Sequence, residues 1–171
     1  MVNATFVAAA GDLDLSRDDT IFVAVVAGVA VLALILAAVF RAQVVKQSEG
    51  TEKMQEIGRA VQEGASAYLS RQFKTLIWFV VPIAVGLYFL PSTTGDSTTK
   101  ADIGRSVFFL LGAGFSAALG YLGMWLATRA NVRVAAAAQN EGRDPAMRIA
   151  FHTGGHVGMM TVGLGLLGAA S

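Results

Sequence analysis

His152 and His156 stand four residues apart, the spacing that puts two imidazoles on one face of a helix. In the H-E-x-x-H pattern two such histidines hold zinc, and the glutamate beside the first is the general base. Here that position is Thr153, and no carboxylate lies within the surrounding apolar run to act as third ligand. The pair therefore reads as two polar groups near the cytoplasmic mouth of an apolar helix, packed against other helices. A proton-relay role is the functional alternative, because ionisable groups inside a membrane segment are costly and tend to mark function.

Other spacings carry weaker chemistry. Gly112, Ser116 and Gly120 recur every fourth residue, and Gly154 and Gly158 form a GxxxG pair. Small residues at that interval let helix backbones approach closely, so tight helix packing is favoured over a ligand channel. Asp14 and Asp18 also share a helical spacing, but no further ligands converge on them and they read as a solvated acidic tail. Arg129, Asn131 and Arg133 follow an apolar run directly and could bind an anion. Basic groups in that position more often set topology and meet lipid headgroups. No GxxxxGK[ST] phosphate loop occurs, and every Asp and Glu lies outside the apolar runs. No catalytic, cofactor-binding or metal-binding residue is assigned to this chain.

The elements that would position these residues are apolar. Of 171 residues, 54% are hydrophobic and 15% charged, and the mean hydropathy is +0.58. A soluble domain carries about 25% charged residues. The net charge of +1 excludes a strongly basic nucleic-acid-binding domain, and the absence of cysteine excludes thiolate metal sites and disulfide scaffolds.

The apolar residues gather into four uncharged runs: 21–40, 75–90, 106–128 and 149–171. A helix of about 20 apolar residues crosses a bilayer core. The expected fold is thus all-α, a polytopic membrane bundle with four transmembrane helices. Pro82 is tolerated in the second run as membrane helices allow. The fourth run reaches Ser171 while still apolar, so that span is expected to be truncated.

The joining segments sort by charge. Residues 1–20 form an acidic tail with Asp12, Asp14, Asp18 and Asp19. Segment 41–74 carries Arg41, Lys46, Lys53, Arg59, Arg71 and Lys74, and segment 129–148 carries Arg129, Arg133, Arg143 and Arg148. The positive-inside rule makes 41–74 and 129–148 cytoplasmic, and 1–20 and the 91–105 loop extracytoplasmic. Within 41–74, Met54, Ile57, Val61, Ala65 and Tyr68 recur at helical spacing. They predict an amphipathic helix over 51–72, with Thr51 as its N-cap.

Three strings carry a resemblance to a family. Residues 54–74, MQEIGRAVQEGASAYLSRQFK, resemble the first cytoplasmic segment of membrane-bound pyrophosphatases, the pumps driven by pyrophosphate hydrolysis. Residues 120–138, GYLGMWLATRANVRVAAAA, and Gly158 to Gly168, GMMTVGLGLLG, are similar to later segments in the same order. The likeness runs from about residue 20 to the end.

It implies the first four of roughly sixteen membrane helices in a homodimeric pump of the cell membrane. Such a pump hydrolyses pyrophosphate and exports protons, with Na⁺ as the alternative ion. The family's Mg²⁺ and pyrophosphate ligands sit on later, inner-ring helices, so the resemblance implies that this segment alone is inactive. It also implies that its partners are the lipid bilayer and the remaining pump helices. His152 and His156 depart from the family's pattern. The alternative reading is a self-contained four-helix small transporter or a non-catalytic membrane subunit.

Overall fold

Residues confined to hydrocarbon must satisfy every backbone N–H and C=O internally, and a helix does so within one segment. The computed structural model describes residues 17–89 and 99–170, and every element among them is an α-helix. They are α1 (Arg17–Val45), α2 (Glu52–Phe89), α3 (Thr99–Asn140) and α4 (Arg143–Ala170).

Three of these helices are long and apolar enough to cross a membrane, over Ile21–Val45, Glu52–Phe89 and Ile103–Asn140. In α4 the two histidines, the glycines and the charged first turns dilute the apolar residues, so α4 does not reach the same mean hydropathy.

The helices overrun the segments read from hydropathy. The amphipathic helix expected over 51–72 and the span expected over 75–90 are one uninterrupted helix, which continues through Pro82. At 1.5 Å per residue α2 is about 57 Å long, well beyond a hydrocarbon core of about 30 Å. The polar turns of α2 are therefore more than a hydrocarbon core can hold and continue its apolar part without a break.

The 129–148 segment is likewise no loop for most of its length. α3 continues to Asn140, and only Glu141 and Gly142 separate it from α4. The Ala-rich stretch from Ala135 to Ala138 holds no helix breaker, so hydropathy falls while the backbone remains helical. Gly142, at φ +97°, then turns the chain, and its N–H bonds the Ala137 carbonyl at 3.0 Å. Of the expected acidic tail, residues 1–16 with Asp14 lie outside the described residues, and 17–20 belong to α1. Of the expected 91–105 loop, 91–98 lies outside them, and 99–105 is the start of α3.

Thr51 is the N-cap the sequence indicated. Its Oγ1 accepts from the Met54 N–H at 3.4 Å, and its carbonyl accepts from Gln55 N–H at 3.0 Å. Just before it, Gly50 takes φ +76°. A Cβ there would fall 2.6 Å from Met54 Sδ and 2.8 Å from Ala136 Cβ, so both conformation and space call for glycine.

α4 packs on α1 and on α3, and α3 packs on α2, with a smaller contact between α1 and α3. α1 and α2, adjacent in sequence, do not touch among the described residues. On α1 the seam is a stripe of small residues, Ala30, Ala33 and Ala37, all buried. At one end of the bundle Val44, Leu126, Ala130, Ala137, Ala146 and Ile149 form a cluster that joins α1, α3 and α4. Elsewhere large apolar side chains remain uncovered, among them Phe22 (71% exposed), Trp78 (80%) and Phe151 (75%).

The buried side of α2 overlaps its apolar stripe only at Met54 and Ala65, both half-buried. Gly58 is buried, and Gln55, Gln62, Ala65 and Leu69 are half-buried, while Ile57, Val61 and Tyr68 are exposed. The side turned to α3 is centred on Gly58 and includes Met54, Ile57 and Val61, which border an open groove beside Val132 and Ala135. A Cβ on Gly58 would lie 3.3 Å from Val132 Cβ, so the glycine admits α3 closely.

Candidate functional site

The polar chemistry of the bundle gathers where α1 ends and α3 passes beside it. Arg133 is the centre. Its side chain is 6% exposed. Nε donates to the Gln47 carbonyl at 3.1 Å and Nη1 to the Arg129 carbonyl at 2.7 Å. Nη2 donates to the Val45 carbonyl at 3.4 Å and to Glu49 Oε1 at 2.7 Å. A helix leaves its last carbonyls without intrahelical partners. Arg133 supplies donors to the end of α1 from another helix and neutralises its charge on Glu49. The guanidinium fork suits this task, with five N–H groups in fixed geometry.

One turn earlier, Arg129 lies over the Trp125 ring at 4.0 Å from the centroid, and Arg41 of α1 lies over the same ring at 4.6 Å. Both are cation–π contacts. The sequence grouped Arg129, Asn131 and Arg133, but the structure sends them to three surroundings. Arg129 meets Trp125, Arg133 caps α1, and Asn131 lines a separate groove between α2 and α3 with Met54 and Val61. The capping role of Arg133 had no signal in the sequence, because its acceptors are backbone carbonyls of a distant helix end.

His152 and His156 both face α1 but act separately. His156 is 4% exposed, and its Nδ1 donates to the Ala37 carbonyl at 2.8 Å. That donation fixes the proton on Nδ1 and leaves Nε2, which is buried and has no partner among the described residues. His152 stacks on Phe40, with centroids 5.1 Å apart and planes 11° from parallel. Thr153 Oγ1 donates to the Ile149 carbonyl within α4 at 2.8 Å. Among the described residues no group of three or more His, Cys, Asp or Glu side chains comes together to hold a metal.

The glycine spacings are also redistributed. Gly154 and Gly158 face open space. The close approach to α1 falls instead on Gly155 and Gly163. A Cβ on Gly155 would sit 3.0 Å from Phe40, and one on Gly163 would sit 2.7 Å from Leu34 and 3.0 Å from the Ala30 carbonyl. Gly112 and Ser116 line an apolar groove of about 400 Å³ between α3 and α4, with Phe108, Phe115 and Leu164. Gly120 turns to Phe73 of α2.

Polar chemistry in this bundle thus tethers helix ends and seams, and the comparisons with known proteins agree with the strings noted above. The inorganic H⁺ pyrophosphatase pattern matches residues 31–171. The chain belongs to the inorganic H⁺ pyrophosphatase family. This membership replaces the reading of a self-contained small transporter.

Among relatives of this chain, the K⁺-insensitive pyrophosphate-energized proton pump of Streptomyces coelicolor is 52% identical over 168 residues. The match covers 91% of this chain and 21% of the relative. The pump of the same description from Chloroflexus aurantiacus is 39% identical, over 91% of this chain and 22% of its own. A K⁺-stimulated pyrophosphate-energized sodium pump of Thermotoga maritima is 39% identical, over 80% of this chain and 18% of its own. The chain therefore spans about a fifth of the length of the curated relatives it matches.

Proposed function

We propose that this chain forms the first four membrane helices, in the outer ring, of a roughly sixteen-helix pump that hydrolyses pyrophosphate to two phosphates and exports protons. The observation that carries the reading is the 52% identity to a proton pump over 91% of this chain. Protons are preferred to Na⁺ because the Streptomyces relatives at 52% and 51% identity are both described as proton pumps, whereas proton and sodium pumps occur together at 37–40%.

In this reading α4 is the fourth span, crossing from residue 149 onward, and segments 41–74 and 129–148 face the cytoplasm. The N-terminus faces outward. The uncovered apolar faces of α1 and α2 meet lipid, further helices of the pump or the second protomer of a homodimer.

The role of the segment is scaffolding. Arg133 sets the end of α1, and the α1–α4 seam holds the two helices in register. Mg²⁺ binding needs converging oxygen ligands. The described carboxylates do not supply them: Glu49 is engaged by Arg133, and no metal-ligating group converges elsewhere among the described residues. In this proposal the pump's ligands for Mg²⁺ and pyrophosphate lie on its other helices.

A segment exchange tests this. The chain is substituted for the matching N-terminal segment of the Streptomyces coelicolor pump and assayed in inverted membrane vesicles. Pyrophosphate-dependent proton uptake is expected to persist. A chimera that reaches the membrane intact but neither hydrolyses pyrophosphate nor takes up protons contradicts the proposal. The chain alone is expected to release no phosphate from Mg-pyrophosphate above a protein-free control.

A further inference from the structure

Arg41 and Arg129 are each the first charged residue after an apolar run, one on α1 and the other on α3. The packing around Val44 and Leu126 brings both to one indole, 4.6 Å and 4.0 Å from the Trp125 ring centroid. Arg129 spends one N–H on the Trp125 carbonyl at 3.1 Å. Neither arginine has a carboxylate partner among the described residues, whereas Arg133 is paired with Glu49.

Two guanidiniums held against one indole put two positive charges on a single aromatic anchor. Its depth is set by sequence: it lies where two apolar runs end and a tryptophan stands, which is headgroup level in a bilayer. Phosphodiester oxygens are concentrated at that depth, and anionic headgroups there attract juxtamembrane basic residues. Guanidinium forks bind phosphate oxygens bidentately, and stacking on the indole holds the forks in place before the anion arrives.

We propose that Arg41 and Arg129, aligned on Trp125, bind the phosphate headgroup of an anionic phospholipid where α1 and α3 leave the membrane. The site rests on the membrane reading of these helices and not on pyrophosphate chemistry.

The chain has two tryptophans, Trp78 and Trp125. Trp78→Phe leaves Trp125 as the sole fluorophore. The full chain with this substitution is reconstituted in phosphatidylcholine vesicles containing a minor fraction of phosphatidylglycerol with brominated acyl chains. The control has the same fraction of brominated phosphatidylcholine. Quenching of Trp125 is expected to be stronger with phosphatidylglycerol. Each arginine near the surface contributes about fivefold to the preference.

Arg41→Gln and Arg129→Gln should each lower the preference by that factor, and together abolish it with far-ultraviolet circular dichroism unchanged. Arg148→Gln, which removes a charge elsewhere on α4, should leave the preference intact. Equal quenching by the two lipids overturns the proposal, as does a preference that survives the double substitution. Equal loss in Arg148→Gln would show general surface charge instead of a site. Loss of the preference on adding inorganic phosphate would assign the arginines to a free anion and reject the lipid.

Discussion

Arg133 of α3 reaches Glu49, in the connection after α1, with Nη2 2.7 Å from Oε1. The two partners are not equivalent. Arg133 is 6% exposed and also serves the Val45, Gln47 and Arg129 carbonyls, while Glu49 is 42% exposed. The pair is therefore an extension of a helix-end cap, and most of its stability resides on the arginine side.

Replacing Arg133 by Met should destabilise the bundle by about 1–3 kcal/mol, because carbonyls at the end of α1 lose their donors while Glu49, 42% exposed, is rehydrated. Glu49→Gln should cost less, about 1 kcal/mol, because a glutamine Oε1 can still accept from Nη2 and the guanidinium keeps its three carbonyl acceptors. Equilibrium unfolding in detergent with both variants measures this. Equal losses would show that the ion pair, and not the cap, carries the interaction.

Gly163 and Gly158 differ in what faces them. Gly163→Ala places a Cβ 2.7 Å from Leu34 and 3.0 Å from the backbone carbonyl of Ala30. Overpacking of this kind costs about 1–3 kcal/mol. Gly158→Ala meets nothing within 4 Å, and alanine gains up to about 1 kcal/mol of helix propensity. Opposite shifts in melting temperature are the expected result; a loss at both positions would mean that Gly158 also lies in a seam.

The histidines should not respond to zinc. His156 Nδ1 is engaged by Ala37 and His152 is stacked on Phe40. Adding Zn²⁺ is expected to leave the melting temperature unchanged, and His152→Phe to preserve stability by keeping the stack. A zinc-dependent rise that His152→Ala removes would refute this assignment. His152→Ala by itself should cost about 1 kcal/mol through lost ring stacking.

Topology is accessible through cysteine labelling, because the chain has none of its own. Cysteine at Ser97 should react with an impermeant reagent in whole cells, and cysteine at Ser48 should react only after the membrane is opened. The reverse pattern would invert the proposed orientation.

The four helices were legible in the sequence, but of their limits only those of α2, near Thr51 and Phe89, were close to the expected ones. Apolar runs of bilayer length leave the backbone no alternative to helix, and the Thr51 cap is a local bond between near neighbours. The helix limits beyond the membrane were not legible from hydropathy, since polarity changes at the headgroups while helix propensity does not. α2 and α3 therefore ran on through segments whose polarity suggested a break.

How far the apolar stripe of α2 is covered was not legible for a related reason. Ile57, Val61 and Tyr68 mark an apolar side, but in a membrane protein apolarity does not by itself choose between lipid and another helix.

By itself the sequence determined an all-helical membrane chain, its alternation of charge and its family, because these depend on composition along the chain. Only tertiary structure decided that Gly155 and Gly163, not Gly154 and Gly158, admit α1. Tertiary structure also gave Arg133 to a helix end and Arg129 to Trp125. Such choices depend on the rotation of one helix about its axis relative to another. A rotation of about 100° exchanges adjacent residues between seam and surface, and no feature of either helix alone sets it.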